Sequence, residues 1–369
     1  MKQAESNEST WQALERRRDQ LDSINEQIIS LLSRRQDIAY VIGQLKRGLG
    51  IEIFDPSREQ QIIRRLTSHS RRHLTKEVIG YIFNEIMSAA RSVQEPLTVA
   101  YLGPETTFTH QAAISLFGHS TSFHGAETVD DVFSLVEKGL CKQGVVPVEN
   151  SYEGSVTRTL DLFYKHEVKI CAEVFLPIEH HLLSKAGTLE EIKHLYSHPM
   201  ALAQCRSWIK NHLSGVPVRE VGSTSLAASM AANEDHTAAV GSRLSALTYD
   251  LTVLQESIQD QPDNVTRFLA IGRHDTAPSG KDKTSVLFLL SHKPGALFRA
   301  LEPLAQSNIN VNRIESRPMK TRKWEYLFFV DLEGHERESN LHDAIKGMEE
   351  RCMYLKRLGS YPAGNDPWD

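Results

Sequence analysis

Between positions 11 and 94 apolar residues recur at helical spacing, and Gly and Pro are scarce outside the stretch Gly48 to Pro56. Leu14, Leu21, Ile28 and Ile42 fall on one seven-residue register, with Ile24, Leu31, Ile38 and Leu45 widening the stripe. The pattern predicts a first helix of roughly forty residues, which needs a partner to cover its apolar face. Asp55-Pro56 reads as an N-cap followed by proline at the first helical position, opening a second helix to about Ser70; Thr75 caps a third. From Leu97 the pattern turns to short β-rich runs alternating with helical ones. Val99 to Leu102, Val145 to Val148, Val168 to Phe175 and Arg267 to Ile271 are the candidate strands of an α/β unit. A polar, small-residue linker, His274 to Lys281, leads to a third pattern. Strand Ser285 to Leu290, helix Ala296 to Gln306, strands Asn310 to Ser316 and Glu325 to Leu332, helix Glu338 to Arg351 and strand Tyr354 to Gly359 make the order βαββαβ. Three units follow, over residues 8–95, 97–274 and 284–361.

Composition narrows the class. With 369 residues, 40% hydrophobic and 24% charged, the chain matches soluble multidomain proteins, and no apolar run is long enough to span a bilayer. The polar start through Thr10 lacks the order of a secretory signal, so a cytoplasmic protein is expected. Cys141, Cys171, Cys205 and Cys352 form no CxxC and no metal-ligand spacing; free, mostly buried thiols are expected. Residues 1–95 carry 15 Lys/Arg against 13 Asp/Glu, a balance of +2, and the rest 27 against 34, a balance of −7. Doublets such as Arg34-Arg35 and Arg64-Arg65 lie among interleaved acids, which argues against a nucleic-acid face.

Polar residues on the helical stripes carry the chemistry. Arg35 sits seven residues from both Ile28 and Ile42, and Lys46 lies eleven further on at nearly the same angle. Glu59 precedes Ile62, Ile63 and Leu66, and Gln94 continues the line Phe83, Met87, Ala90. Burying these groups is costly unless they pair internally or meet an anionic ligand, and pattern alone leaves both readings open. Residues 14–94 resemble the helical chorismate mutases, a family of three-helix chains that form an intertwined dimer. Arg18, Arg35, Lys46, Asp55, Arg58, Glu59 and Gln94 fall on that family's active-site positions. Arg18 and Arg35 are 17 residues apart, about 25 Å along a helix. If both serve one site, Arg18 must come from the other subunit. The resemblance implies a pericyclic rearrangement of chorismate to prephenate that needs no nucleophile, metal or cofactor. In it Arg18 and Arg35 hold carboxylates, Lys46 and Gln94 donate to the ether oxygen, and Glu59 orients the ring hydroxyl. Asp55 is equally an ordinary helix cap, and Arg58 a brace.

In the middle unit four strand ends run into Ser, Thr or Asn and then a helix, at Gly103 to His110, Val148 to Thr157, Tyr196 to Met200 and Val221 to Leu226. Each is an anion-ready helix N-terminus, though singly each is as well explained as an ordinary N-cap. Together the words Tyr101-Leu102-Gly103-Pro104, Thr107-Phe108-Thr109-His110, Val146-Pro147-Val148-Glu149-Asn150-Ser151, Ser197-His198-Pro199 and Thr266-Arg267-Phe268 resemble the prephenate dehydratases, in order, over residues 97–273. That family implies two α/β lobes around a cleft, similar to periplasmic binding proteins. Thr266 alone would be a β-branched residue at a strand start. The resemblance makes its hydroxyl the proton donor to the departing ring hydroxyl of prephenate, and phenylpyruvate the product. An alcohol is a weak acid, so Thr266 needs help. Thr107, Glu149, Asn150, Ser197 and Gln204 are the implied substrate contacts, with Arg267 either an anion contact or a brace. Two departures stand out: Thr106 occupies a usual glycine position, and Met200 a usual glutamine position.

The βαββαβ unit resembles the ferredoxin-like ACT regulatory domains. Gly295-Ala296-Leu297-Phe298 and Glu315-Ser316-Arg317-Pro318 match the pair of motifs that binds phenylalanine in that family. Taken singly, Gly295 is a helix-start turn and Pro318 a strand terminator. The whole resembles the bifunctional chorismate mutase/prephenate dehydratases of phenylalanine biosynthesis. This implies a homodimer or higher homo-oligomer acting on chorismate and prephenate, inhibited by phenylalanine, with no nucleic-acid or membrane partner. Two rivals remain: a dehydratase with a decayed mutase, and a non-catalytic sensor of aromatic ligands.

Overall fold

The helical pattern folds into three helices, α1 (Lys2–Gly48), α2 (Pro56–Thr67) and α3 (Lys76–Gln94). The structure, a computed structural model, describes residues 2–318 and 326–364, with side chains from Thr10 onward. Asp55 caps α2 by accepting from the Arg58 amide at 3.0 Å, with Pro56 at the first position, and Thr75 caps α3. The second helix stops at Thr67, short of Ser70. Only the C-terminal half of α1 packs on its own chain, burying Ala39 and Gly43 against α3. Every residue from Thr10 to Leu31 is exposed, including Leu14, Leu21, Ile24 and Ile28. The stripe is thus intact and uncovered.

The middle unit has two sheets. The first lobe comprises β1 (Thr98–Leu102), α4 (Phe108–Phe117), β2 (Ser122–Ala126), α5 (Val129–Glu137), β3 (Gln143–Asn150), β4 (Gly154–Ser155), α6 (Thr157–Lys165) and β5 (Lys169–Pro177). The second comprises β6 (His181–Ser184), β7 (His194–Ser197), α7 (Pro199–Gln204), α8 (Arg206–His212), β8 (Val218–Glu220), α9 (Thr224–Asn233), β9 (Thr237–Gly241), α10 (Arg243–Thr248) and β10 (Thr252–Gln255). The chain then returns to the first lobe as β11 (Val265–Gly272), inserted between β3 and β5 in the order β2-β1-β3-β11-β5. The other sheet runs β10-β6-β9-β7-β8. Thr107, Ser223 and Ser242 cap α4, α9 and α10 through their hydroxyls, whereas α6 starts at Val156 with no side-chain cap. The expected hydroxyl cap between Val148 and Thr157 is therefore missing, because the short strand β4 intervenes.

The C-terminal unit contains β12 (Asp282–Leu290), α11 (Ala296–Gln306), β13 (Val311–Pro318), β14 (Tyr326–Glu333), α12 (Ser339–Glu349) and β15 (Tyr354–Pro362). Its antiparallel sheet has the order β13-β14-β12-β15, which leaves β13 on an edge. Glu325, the expected first residue of its strand, lies outside the described residues. Alternation divides this sheet between two cores. Val286, Phe288 and Leu290 face α11 and α12, while Leu287, Leu289, Leu327, Phe329 and Leu358 join the core of the middle unit's first lobe. The two units therefore share one hydrophobic interior. The stretch His274 to Lys281 is no free tether: Ser57 and Gln61 of α2 donate to the carbonyls of Ala277 and Pro278, and Thr276 donates to Ser360 O.

At the centre of the shared interior lies a buried ionic cluster. Arg267 on β11 pairs with Glu173 on β5 at 2.7 Å and with Asp331 on β14 at 2.5 Å, and donates to the Tyr361 hydroxyl at 3.1 Å. Lys283 reaches the second Glu173 oxygen at 3.0 Å, and Ser285 donates to Asp331. Burial works to raise the Asp331 pKa, but the Arg267 charge and the Ser285 hydroxyl prevail and hold it below the usual aspartate value. Such a carboxylate contributes stability above its unfolded pKa and loses it as pH falls through the depressed folded value. Asp331→Ala should therefore cost about 3–5 kcal/mol at neutral pH, read as a lower melting midpoint. The deficit should shrink in acid, and an equal loss in acid and at neutrality would count against this account.

Candidate active sites

The helical stripes bring Arg35, Lys46, Glu59 and Gln94 to the face where α1, α2 and α3 meet. Arg35 donates to Ile86 O at 3.3 Å, and burial lowers its pKa against the opposing charge of Glu59. The Lys46 ammonium is held by the carbonyls of Glu52 and Ile53 at 3.1 and 3.0 Å. Glu59 is pushed up by burial, with Asp55 adding to the rise and Arg91 and Lys46 opposing it. Among the described residues the buried Gln94 side-chain oxygen has no hydrogen-bond partner. Arg18 is elsewhere, on the exposed half of α1 and paired at 2.8 Å with Glu15. Asp55 is spent on capping, and Arg58 is exposed.

Two residues of this face escape sequence reading. Arg91 pairs with Glu59 at 2.5 Å; it sits three residues before Gln94, so helical arithmetic places it beside the site. Gly43 lets α1 approach α3, since a Cβ there would lie 2.8 Å from the Gln94 side chain.

In the middle unit the register pairs Thr266 with Asn150 and Arg267 with Glu149 across β11 and β3. Cross-strand partners share a face, so the pleat sends the first pair toward the second lobe and the second pair toward the C-terminal unit. Asn150 Nδ2 donates to the Thr266 hydroxyl at 2.8 Å and to Asn264 Oδ1 at 2.7 Å. Gln204, arriving from the second lobe, accepts from Asn264 at 3.3 Å and from His180 Nε2 at 2.9 Å, and donates to Glu153 at 3.1 Å. Burial pushes the His180 imidazole down to about 4, so it is neutral at physiological pH. The Phe108 ring stands edge-on to it at 5.4 Å, which places the Thr107 end of α4 beside the same network. Asn264 lies two residues before Thr266, a strand-alternation signal that points to one face; His180 and Glu153 have no such signal.

Other expected contacts lie differently. Ser197 is fully buried and donates to Val240 O at 2.7 Å. Glu149 pairs with Arg313 of β13 at 3.2 Å, and Arg267 belongs to the ionic cluster, so both face away from Thr266. Thr106 has φ 67, the left-handed conformation that favours glycine. It is held there across the cleft: Ser245 donates to its hydroxyl at 2.9 Å and Ser242 to its carbonyl at 3.1 Å. Met200 is exposed beside the start of α7.

In the C-terminal unit Gly295 has φ 73 and opens α11, and Phe298 is exposed. Ala296 and Leu297 line a small cavity with Leu290, His292, Tyr326 and Phe328. Pro318 pairs with Tyr326, so the Glu315-Ser316-Arg317-Pro318 segment ends at the same end of the sheet. Arg317 pairs with Asp161 of α6 at 3.0 Å and donates to Thr157 O.

Three family models match in sequence: chorismate mutase type II over residues 17–95, prephenate dehydratase over 99–276 and the ACT domain over 284–350. A bifunctional chorismate mutase/prephenate dehydratase of Aquifex aeolicus is 45% identical over 354 residues, covering 94% of this chain and 96% of the relative. The prephenate dehydratase of Arthrobacter aurescens in complex with L-Phe matches with a TM-score of 0.67 at 34% identity, over 72% of this chain and 90% of that one. A structure described as a quorum quenching acylase, GqqA, matches with a TM-score of 0.66 at 28% identity, over 73% of this chain and 99% of that one.

The cleft contact of Thr106 is open to test. Thr106→Val keeps the shape and removes the hydroxyl, at about 1 kcal/mol, and should lower the melting midpoint by roughly 2–4 °C. Thr106→Gly loses the same bond but relieves left-handed strain of about 1–2 kcal/mol, so its midpoint should stay near the parent's. A glycine variant that melts as early as the valine one would refute the strain argument.

Proposed function

This chain belongs to the bifunctional chorismate mutase/prephenate dehydratase family, and on that premise we propose how its residues divide the two reactions. It is an isomerase and a lyase: chorismate is rearranged to prephenate, and prephenate is converted to phenylpyruvate with loss of water and carbon dioxide. These are successive steps toward phenylalanine.

For the rearrangement, binding and charge placement do the work. Arg35 and the Arg18 of a second subunit hold the two carboxylates. Lys46 and Gln94 donate to the ether oxygen as its bond breaks, and Glu59 orients the ring hydroxyl, with Asp55 and Arg58 supporting α2. The uncovered stripe of α1 supports an intertwined helical dimer, because it is the same face on which Arg18 is stranded.

For the elimination, the hydrogen bond from Asn150 to Thr266 carries the assignment. An accepted bond leaves the Thr266 proton free to point at the departing ring hydroxyl, and the amide stabilises the oxygen as that proton leaves. Aromatisation supplies the driving force as carbon dioxide departs. Gln204 and Asn264 bridge the lobes around the substrate, and Thr107 and the Ser197 strand end frame its carboxylates. Arg267 and Glu149 are assigned to the junction with the ferredoxin-like sensor, not to substrate. In the sensor, phenylalanine binds where the Gly295–Phe298 and Glu315–Pro318 segments of two copies meet, since among the described residues β13 is the edge strand of its sheet. Binding there inhibits the dehydratase, and the bound L-Phe of the Arthrobacter aurescens relative supports this reading. Among the described residues no helix is long and apolar enough to cross a membrane, and a cytoplasmic dimer or larger homo-oligomer is the setting proposed.

Paired variants separate the two chemistries. Thr266→Val should lower prephenate turnover by about 10²-fold or more and leave chorismate turnover intact, while Lys46→Ala should do the reverse. Either variant retaining its own reaction removes that assignment. Phenylalanine should depress prephenate turnover along a sigmoidal curve, and a flat titration would remove the sensor role.

A further inference from the structure

The mutase carboxylate Glu59 does not stand alone, and its closest charge partner bridges two domains. Arg91 on α3 is almost fully buried; one guanidinium nitrogen pairs with Glu59 at 2.5 Å and another donates to Phe117 O at 2.5 Å. Phe117 ends α4, the helix whose other end carries Thr107 of the dehydratase cleft. The guanidinium also lies 5.6 Å over the Phe54 ring, which packs on Phe117 at 4.8 Å. One planar fork thus spans a carboxylate of the first site and a helix-end carbonyl of the second unit, a geometry a lysine ammonium cannot reproduce.

The surface around this fork is built for close contact. Gly118 has φ 66, and a Cβ there would lie 2.5 Å from the Ser88 side chain, so α3 rests directly on the end of α4. Ser120 N donates to Ser88 Oγ at 3.1 Å, His119 N to Glu85 at 3.1 Å, and Asn84 Nδ2 to Ser115 O at 3.0 Å. With these contacts in place, Phe117 O cannot move without carrying Arg91, and Arg91 cannot move without releasing Glu59. Around Glu59 the remaining charges are Asp55 at the start of α2 and Lys46 and Arg35 on α1.

We propose that Arg91 is a positioning residue of the mutase reaction, holding the Glu59 carboxyl aimed, and that it is itself held by the dehydratase lobe through Phe117 O. The mutase site is then completed by its neighbour domain, and α4, about 15 Å long, is a rigid strut between the two active sites. The inference rests on the assignment of Glu59 to the mutase site.

The test uses the full chain. Arg91→Met should lower the kcat for chorismate by roughly tenfold or more with less change in KM, because Glu59 loses its aim. It should also move the acid limb of the mutase pH profile upward, because removing the cation makes Glu59 easier to protonate. Prephenate turnover should persist and reports folding. Arg91→Lys should return the acid limb to the parent's position without restoring kcat, since one ammonium cannot hold both oxygens. A folded Met variant with an unmoved acid limb overturns the proposal; if that variant fails to fold, a Lys variant with parental kcat does so. Glu59→Ala keeps the failures distinct: mutase turnover surviving there sinks the site assignment itself.

Discussion

The Arg267 cluster is the constraint on which the catalytic architecture hangs. A guanidinium this deep is tolerable only with both carboxylates in place, and they come from different units, Glu173 from the dehydratase lobe and Asp331 from the sensor. The cluster therefore ties β11 both to its neighbour β5 and to β14 of the sheet packed against it. Because β11 is pleated, locking Arg267 on one face orients Thr266 on the other. Thr266 and the residue that ties β11 to the C-terminal sheet are thus one peptide apart.

The same arrangement connects the C-terminal sheet to Thr266. Strand β13, which carries the Glu315–Pro318 segment, pairs with β14, and β14 carries Asp331. Arg313 on β13 also holds Glu149, whose neighbour Asn150 donates to Thr266. Edge strand β13 thus has two short connections to the Thr266 oxygen. Such a route is a mechanical link, and coupling through it requires that the sheet have two arrangements.

Much of this was legible from residue order. The long amphipathic helix, the Asp55-Pro56 start, the βαββαβ order and the strand holding Thr266 all appeared, because period and capping are local properties. Arg35, Lys46, Glu59 and Gln94 were legible as polar intruders on apolar stripes. Arg91, three residues from Gln94, was reachable by the same arithmetic. His180 and Glu153 were not, since nothing local distinguishes them, and they meet Gln204 only through the tertiary fold. The polar stretch His274 to Lys281 reads as a linker, yet α2 binds its carbonyls; backbone acceptors leave no mark in side-chain composition.

By itself the sequence determined the three units and their element order, because helical and strand periodicity are local properties; the two chemistries followed from the resemblance of its motifs to known families. Tertiary structure alone decided what each charged group does. Arg267 and Glu149 turn to the sensor because the β11–β3 register pairs them with each other and not with Thr266 or Asn150. Thr106 stands in a glycine's conformation because serines of the opposite lobe hold it there. Charge partners are chosen by distances between elements far apart in the chain, and those distances exist only in the folded protein.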